Sequence, residues 1–385
     1  MLPDAADPVA LTQALVRCPT VTPDAGPALD LLQRCLEPLG FACHRVRFEG
    51  DGTYPVDNLF AKLGQGAPHL AFGGHVDVVP PGERGRWTLD PFSGEVREGR
   101  LYGRGAADMK SGVAAFVAAA ARLVGQGGLP GGSVSLLITG DEESEAVNGT
   151  VKLLAWAAER GERFDGCVVG EPTSVERLGD TVKIGRRGSL VADLVVRGRQ
   201  GHTAYPQRAD NAAHRLLAVL ERLVATPLDE GIAWFQPSNL QVTSVDVGNP
   251  AGNVIPGEAK ARLNIRFNDR HTAASLERWL RGQIAPLAPD HDLAVASNAE
   301  AFVTEPGGLS ELLARAVEAE TGRRPAANTL GGTSDARFFK RYCPVVELGL
   351  VGTTMHQADE HVAVADVEGL TRIYEAFLRR FLDAG

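Results

Sequence analysis

A histidine and an aspartate two residues apart close the apolar stretch HLAFGGHVDVV (69–79), as His75 and Asp77. Asp108 follows a glycine-rich turn in LYGRGAADMKSG (101–112). The apolar run Ser133 to Thr139 leads through Gly140 into Asp141, Glu142 and Glu143, the run GCVVGE (166–171) ends in Glu171, and VVELGL (345–350) leads to His356 and His361. Each has an ordinary reading by itself: an H-x-D pair is most often core or surface, an aspartate at a helix start is usually an N-cap, and adjacent acids often form a solvated turn. Acids and imidazoles recurring at strand ends point elsewhere, because ligands in open α/β sheets bind at the carboxyl ends of the strands. His75, Asp108, Glu143, Glu171 and His356 offer hard oxygen and imidazole donors without thiolate, which suit a catalytic Zn2+, Mn2+ or Co2+ site better than a closed structural zinc. This set exceeds the needs of one metal and suits two ions, ~3.5–4 Å apart, sharing a bridging carboxylate. Asp77 could hold the His75 tautomer that leaves the other ring nitrogen for a metal. Glu142, beside Glu143, is the candidate proton carrier that stays off the metals.

The elements that must position these residues follow from hydrophobic periodicity. Asp7 to Leu39 reads as helices around a turn at 19–27, and Phe41–Phe48 and Asn58–Leu63 as strands. His69–Val79, Ser133–Thr139 and Gly166–Glu171 are continuous apolar runs of the kind buried on both faces of a parallel sheet. A helix from Asp108 through Val124 and another over Thr150–Arg160 alternate with them. From Val182 the texture changes to strand, helix, two strands, helix, strand. The helix Asn211–Ala225 should turn Leu216, Leu217, Leu220 and Val224 inward, and Lys260–Asn268 alternates Ala261, Leu263, Ile265 and Phe267 against polar residues. That order is a ferredoxin-like split unit. The expected fold is therefore an α/β catalytic domain with a central, mostly parallel sheet, contributed by residues 1–182 and 298–385 and interrupted by an inserted βαββαβ domain at 183–297.

With 385 residues, two domains are the default. A hydrophobic share of 44% and a charged share of 23% are those of a soluble globular protein. The net charge of −9 argues against nucleic acid as the main partner. No apolar run approaches the ~20 residues of a membrane helix, and the N-terminus lacks the pattern of a signal peptide. Five cysteines, odd in number and without C-x-x-C spacing, suggest neither a disulfide framework nor a thiolate zinc site and fit a reducing cytoplasm.

The motifs GGHVDVVPPG (73–82), LYGRGAADMKSG (101–112), LLITGDEE (136–143) and VVGEPTS (168–174) resemble those of the co-catalytic zinc metallopeptidase and amidohydrolase superfamily that includes aminoacylase and glutamate carboxypeptidase. KIGRRGSL (183–190), QGHTAYP (200–206), GNVIP (252–256), GGTSDARF (331–338) and TMHQADE (354–360) extend the resemblance, in order, over nearly the whole chain. The resemblance implies two zinc ions, with cobalt as a substitute, His75 and Glu171 on one, Glu143 and His356 on the other, and Asp108 bridging. Asp77 would orient His75, and Glu142 would act as general base and then acid. It further implies a homodimer joined through the inserted domain, in which His202 crosses to the partner subunit to steady the oxyanion. Arg186, Ser189, Tyr205, Asn253, Arg266, Gly332 and Thr333 match positions that hold the substrate's carboxylates and amide. The activity implied is hydrolysis of the amide in N-succinyl-L,L-2,6-diaminopimelate, a step of lysine and peptidoglycan precursor synthesis. The nearest alternative is a related deacylase acting on N-acetylornithine, or a carboxypeptidase. His214, His271 and His361 match no motif role.

Overall fold

The structure, a computed structural model, describes residues 2–383, the side chain of Asn298 excepted. It divides into two compact units: one made of residues 1–185, 304–328 and 334–385, the other of 186–303 and 329–333.

The first unit begins with helices α1 (Pro8–Val16), capped by the Asp7 carboxylate, and α2 (Gly26–Leu36). A hairpin of β1 (Ala42–Gly50) and β2 (Thr53–Gly64) follows, then β3 (His69–His75), α3 (Ser111–Gly125), β4 (Ser133–Thr139), α4 (Thr150–Glu159), β5 (Gly166–Val169) and β6 (Thr181–Lys183). The second unit holds β7 (Gly188–Arg197), α5 (Ala212–Ala225), β8 (Asn239–Asp246), β9 (Glu258–Phe267), α6 (Ala273–Ile284) and β10 (His291–Ala299). The chain then returns to the first unit with α7 (Gly308–Thr321), β11 (Ala326–Asn328), a short α8 (Ala336–Phe339), β12 (Val345–Glu347) and the long α9 (Val364–Asp383).

The eight-stranded sheet of the first unit has the order β1-β2-β4-β3-β5-β12-β6-β11. Its centre is parallel, with β4, β3, β5 and β12 running the same way, and antiparallel pairings lie towards both sides. It is a mixed sheet with a parallel middle. The central strands are buried on both faces, as their unbroken apolar runs require. Gly73 and Gly74 show the two coverings: a Cβ on Gly73 would strike Phe339 of α8, and one on Gly74 would approach Val113 of α3. Successive residues of a strand point to opposite faces, so α8 and α3 cover opposite sides. With twelve of its fifteen residues buried, α3 forms the middle of the helical layer it shares with α9.

The second unit is an antiparallel sheet of order β8-β9-β7-β10 with α5 and α6 packed on it, the arrangement of a ferredoxin-like split unit. On β9 the alternation holds, with Ala261, Leu263, Ile265 and Phe267 in the core. On α5, Leu216 and Leu220 face inward as expected, but Val219 and Leu223 complete the buried face in place of Leu217 and Val224. Leu217 and Val224 are 61% and 64% exposed, because the helical repeat turns them about a quarter turn away from that stripe. Among the described residues no helix is long and apolar enough to cross a membrane.

Candidate metal centre

Register brings the chemical residues of the first unit level. His75 lies opposite Thr139, and Gly73 opposite both Leu137 and Val169. His75 at the end of β3, the acids just beyond β4 and Glu171 just beyond β5 therefore share one sheet edge, where parallel strands present their carboxyl ends.

Asp108 reaches this edge by a route that sequence reasoning misplaces. It neither caps nor begins a helix: α3 starts at Ser111, and Asp108 is extended (φ −121°, ψ 99°) in the turn before it. That conformation frees its carboxylate. Oδ1 lies 3.3 Å from His75 Nε2 and Oδ2 lies 3.4 Å from His356 Nε2, so one carboxylate stands between two imidazoles. His356 Nε2 is also 3.0 Å from Glu143 Oε1, and His75 Nε2 is 3.8 Å from Glu171 Oε1 and 4.0 Å from Glu142 Oε2. Donor atoms of His75, Asp108 and Glu143, and of His75, Glu142 and Glu171, lie within 4.8 Å of one another, close enough to hold a metal ion.

The electrostatics describe a site short of positive charge. Burial, the Asp335 carboxylate and neighbouring acids raise the Glu142 pKa well above the usual carboxylate range. Burial, Asp108 and Glu142 do the same to Glu171. Burial opposes a charged His75, yet hydrogen bonds with Asp108 and Asp77 outweigh it and push its pKa well up. Hydrogen bonds with Asp108 and Glu143 raise His356 to about 10. Asp108 goes down despite its burial, held by His356 and His75. In a metal-free centre protons on the imidazoles supply the missing charge. Asp108, Glu143, Glu171 and the two imidazoles are hard oxygen and nitrogen donors without thiolate, so the donor set fits a pair of divalent cations.

Asp77 has two jobs. His75 Nδ1 donates to the Asp77 carbonyl at 3.0 Å, with the carboxylate at 3.5 Å, and in the neutral ring this fixes the tautomer that leaves Nε2 for a metal. The fully buried Asp77 carboxylate accepts the amides of Glu142 and Glu143 at 3.3 and 3.2 Å and the Thr22 hydroxyl at 2.7 Å, pinning the acidic turn to β3.

Sequence reasoning missed Glu360 and Arg104. Glu360 Oε1 accepts the amides of Ala107 and Asp108 at 2.8 and 3.2 Å, and its Oε2 pairs with Arg104 Nη1 at 2.6 Å in the interior. Both residues stood inside recognised motifs, but partners more than 250 positions apart leave no local signal of pairing.

The remaining candidates belong to the second unit. Ser189 and Arg266 are cross-strand partners on β7 and β9. Arg186 Nη1 donates to the Gly332 carbonyl at 3.2 Å, and the buried Thr333 hydroxyl has no hydrogen-bond partner among the described residues. His202 and Tyr205 are exposed with ring centroids 5.7 Å apart, and the Asn253 carbonyl accepts the Thr203 amide at 3.0 Å. His202 Nδ1 accepts from the Ala204 amide, which puts the ring proton on Nε2.

The sequence pattern of Peptidase family M20/M25/M40 matches residues 71–380. The chain belongs to this family. It is 57% identical over 377 residues to the succinyl-diaminopimelate desuccinylase of Rhodospirillum centenum, covering 98% of each chain. Against the enzyme of the same name from Parvibaculum lavamentivorans it is 55% identical, over 97% of this chain and 95% of the other. Among solved M20 structures, the metallo-carboxypeptidase Sso-CP2 of Sulfolobus solfataricus superposes with a TM-score of 0.79 at 16% identity, over 98% and 99% of the two chains. YXEP of Bacillus subtilis, described as a dinuclear metal-binding peptidase, gives 0.72 at 14% identity over 98% of each. At such identities the likeness is one of fold, and M20 architecture accounts for both units described above.

Proposed function

We propose that this chain is a two-metal amidohydrolase that cleaves N-succinyl-L,L-2,6-diaminopimelate to succinate and L,L-2,6-diaminopimelate. The observation that carries the metal chemistry is the Asp108 carboxylate standing between His75 and His356, each imidazole with a further acid beside it. The substrate rests on the near full-length identity to desuccinylases.

His75 and Glu171 would hold one ion, Glu143 and His356 the other, and Asp108 both; zinc, with cobalt as a substitute, suits donors of this kind. When bound, such a pair polarises the amide carbonyl and acidifies an attacking water. Glu142 carries the proton, taking it as base from the water and returning it to the departing amine as acid. Asp77 keeps the Glu142–Glu143 turn and the His75 ring in register. Arg186 and Arg266 supply guanidinium forks for the substrate's carboxylates, with Ser189, Tyr205, Asn253, Gly332 and Thr333 as further polar contacts. His202, protonated at Nε2, donates to the developing oxyanion in the partner subunit's site.

That role requires a homodimer. Two features of the second unit favour one: β8 is an edge strand with an open hydrogen-bonding side, and Leu217 and Val224 expose an apolar stripe on α5. Five cysteines without a disulfide fit a reducing cytoplasm. The test is succinate release from N-succinyl-L,L-2,6-diaminopimelate beside acetate release from N-acetylornithine, with zinc supplied. Strong preference for the succinyl compound is expected; preference for acetylornithine would overturn the substrate and leave the metal chemistry standing.

A further inference from the structure

The two segments that approach each other across the metal centre are tied beneath it by one buried ion pair. Strand Arg100–Tyr102 pairs antiparallel with His361–Ala363, and the Gly103 amide continues the ladder to the Glu360 carbonyl at 2.8 Å. Immediately above, Arg104 and Glu360 pair in the interior, 3% and 0% exposed. Glu360 faces one way, accepting the amides of Ala107 and Asp108. Arg104 faces the other, with Nη2 3.4 Å from the His356 carbonyl and Nη1 3.3 Å from that of Gln357.

His356 needs such support. Its φ of +63° lies in the left-handed region, as does that of Asp359 at +57°, and a side chain with a Cβ resists both. The Asp359 carboxylate is anchored to the Thr88 amide and hydroxyl at 2.7 and 2.8 Å, and Thr354 exchanges hydrogen bonds with His361; Arg104 adds a hold on the His356 carbonyl itself. A buried pair kept only for stability is a poor device, since desolvating two charges offsets most of their attraction and apolar residues would serve as well. Beyond the bond between its own two members, this pair hydrogen-bonds to main chain at both metal-binding segments: the amides of Ala107 and Asp108 on one side, the carbonyls of His356 and Gln357 on the other.

We propose that the Arg104–Glu360 pair is a positioning device of the metal centre: it fixes the spacing between Asp108 and His356 and so sets affinity for the ion they share with Glu143. The inference rests on the two-metal reading above. Neither residue touches the ions; they act through the main chain.

Metal-free protein titrated with zinc in a calorimeter tests it, with cobalt absorption spectra of the same variants as a second readout. Wild type should take up two ions; fewer would sink the two-metal reading itself. In Glu360→Gln, the ion held by Asp108, His356 and Glu143 should weaken about 10–100-fold, the size of effect typical of residues that hold metal ligands, while the other, which shares only Asp108 with it, weakens clearly less. The cobalt band of the weakened ion should shift as well. Glu360→Asp keeps the charge facing Arg104 but shortens its reach to the two amides; it should show the same selective loss, and it carries the test if the glutamine variant does not fold. Unchanged affinities for both ions in a cooperatively folded variant would overturn the positioning role and leave the two-metal reading intact. Parallel loss of both ions in step with the melting temperature would also overturn it.

Discussion

The Glu142 carboxylate is 14% exposed and 4.0 Å from His75 Nε2, reachable by water yet clear of the closest imidazole–acid contacts. Replacing it with Gln should lower turnover by roughly 10²–10⁴-fold, the usual contribution of a positioned proton carrier, while zinc content measured on the same sample remains at the wild-type level. Full activity in that variant would remove Glu142 from the mechanism. His356 makes a second prediction. Its metal-free pKa of about 10 means that the imidazole is protonated at neutral pH, and a metal takes only the neutral ring. Zinc uptake should therefore expel a proton, and apparent affinity should rise with pH until about 10. Calorimetry in buffers of different ionisation enthalpy reads the released proton directly. The stability of the metal-free protein should run the opposite way: a raised folded-state pKa contributes stability present in full below the ordinary histidine value and lost as pH climbs through about 10.

At the scale of elements, close backbone approach keeps the strand ends together. A Cβ on Gly112, in the first turn of α3, would lie 2.4 Å from the carbonyl oxygen of Gly170, the residue before Glu171. Gly112→Ala must push helix and segment apart. It should cost about 1–3 kcal/mol in denaturant unfolding, in the range of overpacked interiors, and weaken zinc binding. Gly125→Ala at the far end of the same helix meets open space and should leave both near wild type. These elements were also the most legible part of the chain. Strands buried on both faces must be continuously apolar, so β3, β4 and β5 and the polar residues ending them stood out in the amino-acid order. Asp108 was legible as a residue but not as a geometry, because an aspartate just before a helix looks the same whether it caps or reaches past the turn. Leu217 and Val224 were misread because apolar residues at helical spacing were assumed to face the core; nothing in a single sequence marks a side chain for another surface.

At the scale of the whole molecule, the role proposed for His202 needs two copies of the chain. Leu217→Lys combined with Val224→Lys places charge on the exposed stripe of α5 without touching the buried face of Leu216, Val219, Leu220 and Leu223. Light scattering should show the wild type as a dimer and this variant as a monomer that retains zinc but has lost most of its turnover. A wild-type monomer with full activity would contradict the role given to His202. The claim on which everything else depends is the pair of ions around Asp108. The most direct measurement is anomalous scattering at the zinc edge from crystals of zinc-loaded protein. Two peaks about 3.5–4 Å apart are expected, one beside His75 and Glu171, the other beside Glu143 and His356, with a carboxylate oxygen of Asp108 on each. A single peak, or ions bound away from Asp108, would contradict the account.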